Sequence, residues 1–125
     1  MAVRMGGAEI RTWLPRKPRT VNYVVAANDA PAASRIQADY LCDGVADQVE
    51  IQAAIDAVNA SGVRGSVQLI GNFQATATIN AKSNCDVYGP ATITVTIAGA
   101  GHGVVFSNIT NSIWEDITVY RAGAV

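Results

Sequence analysis

A chain of 125 residues, half of them hydrophobic and 15% charged, is sized for one domain around a single core. No apolar run reaches the roughly 18 residues of a membrane-spanning helix and no apolar signal core follows the N-terminal arginines, so bilayer insertion and Sec export are disfavoured. The formal charge of −1 hides a division: residues before Val21 carry five cations against Glu9, a net of +4, while the rest carries four basic and nine acidic residues, a net of −5.

In chain order, the first unit is a basic arm over residues 1–20, and residues 21–125 form the body. Arg4, Arg11, Arg16, Lys17 and Arg19, with Trp13 and Leu14 among them, make the arm a candidate for docking on an acidic partner; the alternative is an exposed tail. Val21–Ala27 is β-branched and aromatic and reads as a strand, stopped by Asn28, Asp29 and Pro31. Asp47 stands three residues before Glu50, and Ile51, Ala54, Ile55 and Val58 follow at helical spacing, which predicts an amphipathic helix ending near Gly62. Placed ahead of a repeat, such a helix is expected to plug the open end of the first turn.

The repeat itself lies between Ser66 and Ile97. Val67, Leu69 and Gly71 return as Cys85, Val87 and Gly89, and Ala75–Ile79 returns as Ile93–Ile97, at an offset of 18 residues. A third turn extends to Ile117 and Val119 with looser spacing. Parity places Ala75, Ala77, Ile79, Ile93, Val95 and Ile97 inward and Thr76, Thr78, Thr94 and Thr96 outward, the latter forming a possible glycan-binding face that is otherwise a solvated sheet. The pattern predicts an all-β fold, a short parallel β-helix solenoid of about three coils with an N-terminal capping helix. Asn72, Asn80, Asn84, Asn108 and Asn111 are expected at its corners, where asparagine tolerates left-handed backbone. Cys42 and Cys85 are expected to be reduced and buried.

Tyr23–Pro31 and Ala38–Asp56, with an Asp-Gly-x-x-Asp-x-x-x-Ile-Gln-x-Ala-Ile-Asp-like segment from Asp43 to Asp56, resemble the start of right-handed parallel β-helix proteins of the pectate lyase-like superfamily. The resemblance extends to about Tyr120 and implies that Asp43–Asp56 is the capping helix. The scaffold carries lyases, hydrolases, phage tailspikes and capsid decorations, so the resemblance leaves activity open. The short offset also leaves a left-handed coil open.

Enzymes of this scaffold need carboxylates aligned on successive coils. Asp43, Asp47, Glu50 and Asp56 fall on the cap, leaving Asp86, Glu115 and Asp116, a set too sparse to predict catalytic residues. Asp43 and Asp47 read as helix-capping groups in preference to calcium ligands. His102 has no ligand-type neighbours, and neither a metal nor a cofactor is expected. Five of the nine cations crowd into the arm and the body is net acidic, which argues against sequence-specific nucleic-acid binding. The expected function is a non-catalytic structural protein of a virus particle, a capsid decoration, head-fibre or tail protein. It would be made in the host cytoplasm, anchored to another virion protein by its arm, and trimeric. The alternatives are the leading part of a polysaccharide lyase or glycoside hydrolase such as a tailspike depolymerase, and a carbohydrate-binding module using Tyr88, Trp114 or Tyr120 to bind surface polysaccharide.

Overall fold

Alternation of apolar and polar side chains generates the strands, and one apolar helical stripe covers them. The computed structural model describes residues 21–97 and 102–121. In chain order these form β1 (Val21–Ala26), α1 (Ala32–Gln37), β2 (Tyr40–Leu41), α2 (Gln48–Ala60), β3 (Gly65–Ala75), β4 (Ile79–Asn80), β5 (Cys85–Val95), β6 (Val104–Val105) and β7 (Trp114–Arg121). Five strands make one parallel sheet in the order β2-β1-β3-β5-β7, and β4 pairs with β6 in a second parallel sheet.

Along β3 and β5 the odd-numbered residues Val67, Leu69, Phe73, Ala75, Cys85, Val87, Ile93 and Val95 point to one side and are buried. Helix α2 lays Ile51, Ala54, Ile55 and Val58 into the same cluster, together with Val25 and Ala27. All four helix residues are fully buried, and Ile51, Ile55 and Val58 each remove a side chain worth about 1.5–3 kcal/mol from water. Two side-chain amides fix the helix to the chain beyond β3. Gln48 Oε1 accepts the Thr76 N–H at 2.9 Å while its Nε2 donates to Thr76 Oγ1 at 3.2 Å. Gln52 Oε1 accepts the Asn80 N–H at 2.7 Å while its Nε2 donates to the Asn80 carbonyl at 3.0 Å, so this amide pairs with the backbone as a neighbouring strand would.

This architecture corrects the all-β expectation. The protein is a small mixed α/β domain, with seven strands in parallel sheets and two helices among the described residues, and it is not a three-coil solenoid with a capping helix. The stacking offset between β3 and β5 is 20 residues, since Val67 lies beside Val87 and Ala75 beside Val95. Ala77, expected above Val95, is exposed, because β3 ends at Ala75 and the chain bends before β4. Within the paired strands a slip of two residues keeps each side chain on the same face, so alternation alone could not distinguish 18 from 20. The helix begins one residue after Asp47, as its stripe predicts, but it forms a layer against β1 and β3 in place of an end plug.

Two elements were not anticipated. Helix α1 follows Pro31, whose fixed φ suits the residue before a helix, and it buries none of its residues. Strand β2 is two residues long and is held beside β1 by Asp39, whose N–H donates to the Val24 carbonyl and whose Oδ2 accepts the Val24 N–H, each at 2.8 Å. The corner role of asparagine is seen at Asn84, Asn108 and Asn111, which have φ of 62°, 54° and 57°.

Candidate functional site

On the face of the large sheet opposite α2, the register sets Asn22, Ser66 and Asp86 side by side across β1, β3 and β5. Arg64, in the residue before β3, reaches over this row, and Tyr88 lies two residues further along β5. Together with Gly65 these side chains line a shallow polar pocket. Asp86 is its centre and is 8% exposed. Its Oδ1 accepts Arg64 Nη2 at 2.9 Å and the Ile113 N–H at 3.0 Å, while Oδ2 accepts Arg64 Nε at 3.2 Å and the Tyr88 hydroxyl at 3.4 Å. Ser66 Oγ and Asn22 Oδ1 share a further hydrogen bond.

Electrostatics follow the contacts. The Asp86 carboxylate raises the Arg64 pKa above its ordinary value, through the hydrogen bond first and the charge second. The Tyr88 phenol is also raised, by partial desolvation and then by the Asp86 charge. Four donors occupy the Asp86 oxygens, and one of them, Ile113, is the residue that leads into β7. The carboxylate therefore works as a clamp between strands.

Other carboxylates are used in the same way. Asp47, fully buried, does not cap α2 with its side chain: Oδ1 accepts the Gly44 N–H at 3.0 Å and Oδ2 the Gln74 N–H at 2.8 Å, joining the loop before the helix to β3. Asp29 accepts the Asn72 N–H at 3.0 Å and its Nδ2 at 2.7 Å, and these bonds, the backbone one foremost, lower its pKa. Asp43 Oδ1 accepts the Val45 N–H at 2.9 Å. Asp56 faces Lys82 at 3.5 Å, and Glu115 and Asp116 are exposed on β7.

A second cluster joins Cys42, Asp47 and Glu50, whose ligand-type atoms all lie within 4.8 Å of one another. Among the described residues this is the one group of three ligand-type side chains so close together, although both Asp47 oxygens already accept backbone N–H groups. Glu50 Oε1 is buried without a partner, and burial, reinforced by Asp47 and Glu50, pushes the Cys42 thiol far above its ordinary pKa. The sequence does not reveal the trio, because a lone buried Cys42 carries no ligand spacing; the Asp47-to-Glu50 spacing of one helical turn is its available signal.

The expected glycan face does not assemble. Thr94 lies beside Gln74 in the sheet register, Thr76 is bound by Gln48, and Thr78 Oγ1 donates to the His102 carbonyl at 2.6 Å. Tyr88 stands on the outer face, while Trp114 continues the inward row of Val87 and meets Phe106 edge-on at 5.4 Å, so the expected aromatics do not share one platform. The docking residues Arg4, Arg11, Trp13, Leu14, Arg16, Lys17 and Arg19 lie outside the described residues. No helix among the described residues is long and apolar enough to cross a membrane. Compared with protein-family models, with curated proteins and with solved structures, the chain matches none, so the resemblance to the pectate lyase-like superfamily rests on the sequence segments quoted for it alone.

Proposed function

We propose that this chain is a non-catalytic structural protein of a virus particle, a capsid decoration, head-fibre or tail component held to another virion protein through residues 1–20. The observation that carries the non-catalytic part is the use of its carboxylates. Asp29, Asp39, Asp43, Asp47 and Asp86 each accept a backbone N–H, four of these bonds reaching well away in the fold or across a loop, so they are spent on rigidity. The attachment role is supported by the +4 charge of residues 1–20 and the aromatic and aliphatic pair Trp13-Leu14. The place in a virus particle rests on the sequence resemblance alone.

The purified chain incubated with polygalacturonate and other acidic polysaccharides, with and without calcium, is expected to release no unsaturated or reducing ends. Turnover that disappears with Asp86→Asn would overturn the non-catalytic reading. Immunogold labelling of virus particles from the source organism with antibody against the body is expected to decorate them, and removal of residues 1–20 to abolish rebinding to stripped particles. Unlabelled particles would remove the virion placement.

A further inference from the structure

Arg64 is gripped along one side only. Asp86 takes a hydrogen from Nε and one from Nη2, which leaves both hydrogens of Nη1 and the second of Nη2 without a partner among the described residues. One hydrogen from each terminal nitrogen makes a second planar fork, the shape that holds a carboxylate through two parallel bonds. On β1, Asn22 Oδ1 accepts the Ser66 hydroxyl, so both hydrogens of Asn22 Nδ2 and the lone pairs of Ser66 Oγ are also unused. Arg64 and Ser66 share a face two residues apart, and Asn22 is the next strand's neighbour of Ser66, so these unused groups converge on one pocket.

The pocket is built in advance. Asp86 is held by the Ile113 amide and in turn holds Arg64, while Ser66 holds Asn22, so a ligand meets donors whose orientation is already fixed. Its volume of about 280 Å³ lies at the small end of ligand sites. Charge narrows the choice further. Arg64 and Asp86 neutralise each other, Glu115 stands beside Tyr88 in the register, and residues 21–125 are net −5, so a dianion such as phosphate is disfavoured while one carboxylate can use the fork.

We propose that this pocket binds a small hydroxycarboxylate, its carboxylate on the free fork of Arg64 and its hydroxyl accepting from Asn22 Nδ2 and donating to Ser66 Oγ. The assignment is independent of the virion reading and of what residues 1–20 bind.

The test titrates the full chain with lactate, following the Arg64 Nε–H and Asn22 side-chain amide signals by NMR. Both are expected to shift and saturate with a Kd of about 1–10 mM. Propionate, which lacks the hydroxyl, is expected to bind at least about fivefold more weakly, and lactamide, which lacks the charge, to leave both signals in place. Asn22→Ala leaves the Arg64–Asp86 pair intact and is expected to reduce lactate to the level of propionate without changing propionate itself. Arg64→Lys keeps the charge but removes the fork, and is expected to weaken both acids at least about tenfold, with thermal unfolding as its folding control. No saturable shift at about 50 mM lactate, equal shifts with lactamide or inorganic phosphate, or unchanged binding in Asn22→Ala would each overturn the proposal.

Discussion

Asp47 shows how much of the fold one side chain can hold. Its carboxylate is fully buried and accepts the Gly44 and Gln74 amides, while its own N–H donates to the Gln74 carbonyl at 2.8 Å. Asp47→Ala strands two amides and is expected to cost about 3 kcal/mol in urea unfolding, with Asp47→Asn costing less because one carbonyl acceptor survives. The cysteines set the alkaline limit. Burial, then Asp86 and Asp56, pushes the Cys85 thiol up to about 11, and Cys42 is raised further for the same first reason. A folded-state pKa above the unfolded one gives stability that is complete below the ordinary value of 9.0 and is lost as pH climbs toward 11. Denaturation midpoints are thus expected to fall over that window, and the fall to be smaller in Cys85→Ala. Asp29 acts in the opposite sense: its lowered pKa contributes stability above its ordinary 3.8 that fades as acid protonates it, so Asp29→Asn is expected to show a shallower acid limb.

At the scale of elements, β7 depends on a glycine in its neighbour. A Cβ on Gly89 would overlap the Asp116 carbonyl oxygen, where β7 steps out of simple register with β5. Gly89→Ala is expected to push β7 away and raise amide exchange over Trp114–Arg121 at least about tenfold while leaving α2 protected. The bulge that requires this glycine was not legible in the sequence, because it depends on two residues of β5 opposing one of β7. Helix α2 was legible, since its stripe has one period and one burial partner. Helix α1 was not: it buries no residue and so carries no periodic signal. The strands of the repeat were readable as strands, and their faces largely followed parity, but their partners two residues away did not.

For the whole molecule, the same ambiguity decided the architecture. An alternating sequence reports which side of a sheet each residue occupies and is silent about sliding by whole dyads, so a winding inferred from an 18-residue echo became a helix-covered parallel sheet stacked at 20. The polar pocket around Asp86 was hidden for a related reason. Arg64 and Asp86 are separated by 22 residues and meet only because that spacing, once the offset is 20, sets them in neighbouring rows. Asp86→Ala is expected to lower global stability by about 2 kcal/mol, measured by urea unfolding, and to loosen the entry to β7 by freeing the Ile113 amide.

The glutamines of α2 set a length rule for the chain beside them. Gln48 and Gln52 stand four residues apart on a helix, a rise of about 6 Å, yet they grip Thr76 and Asn80, whose intervening segment would span about 13 Å if extended. The backbone must therefore fold out between the two grips, which is why Ala77 meets water. Lengthening that stretch by a single residue would leave one grip empty or throw β4 out of step with β6, so deletions and insertions there should be the least forgiving on this side of the protein.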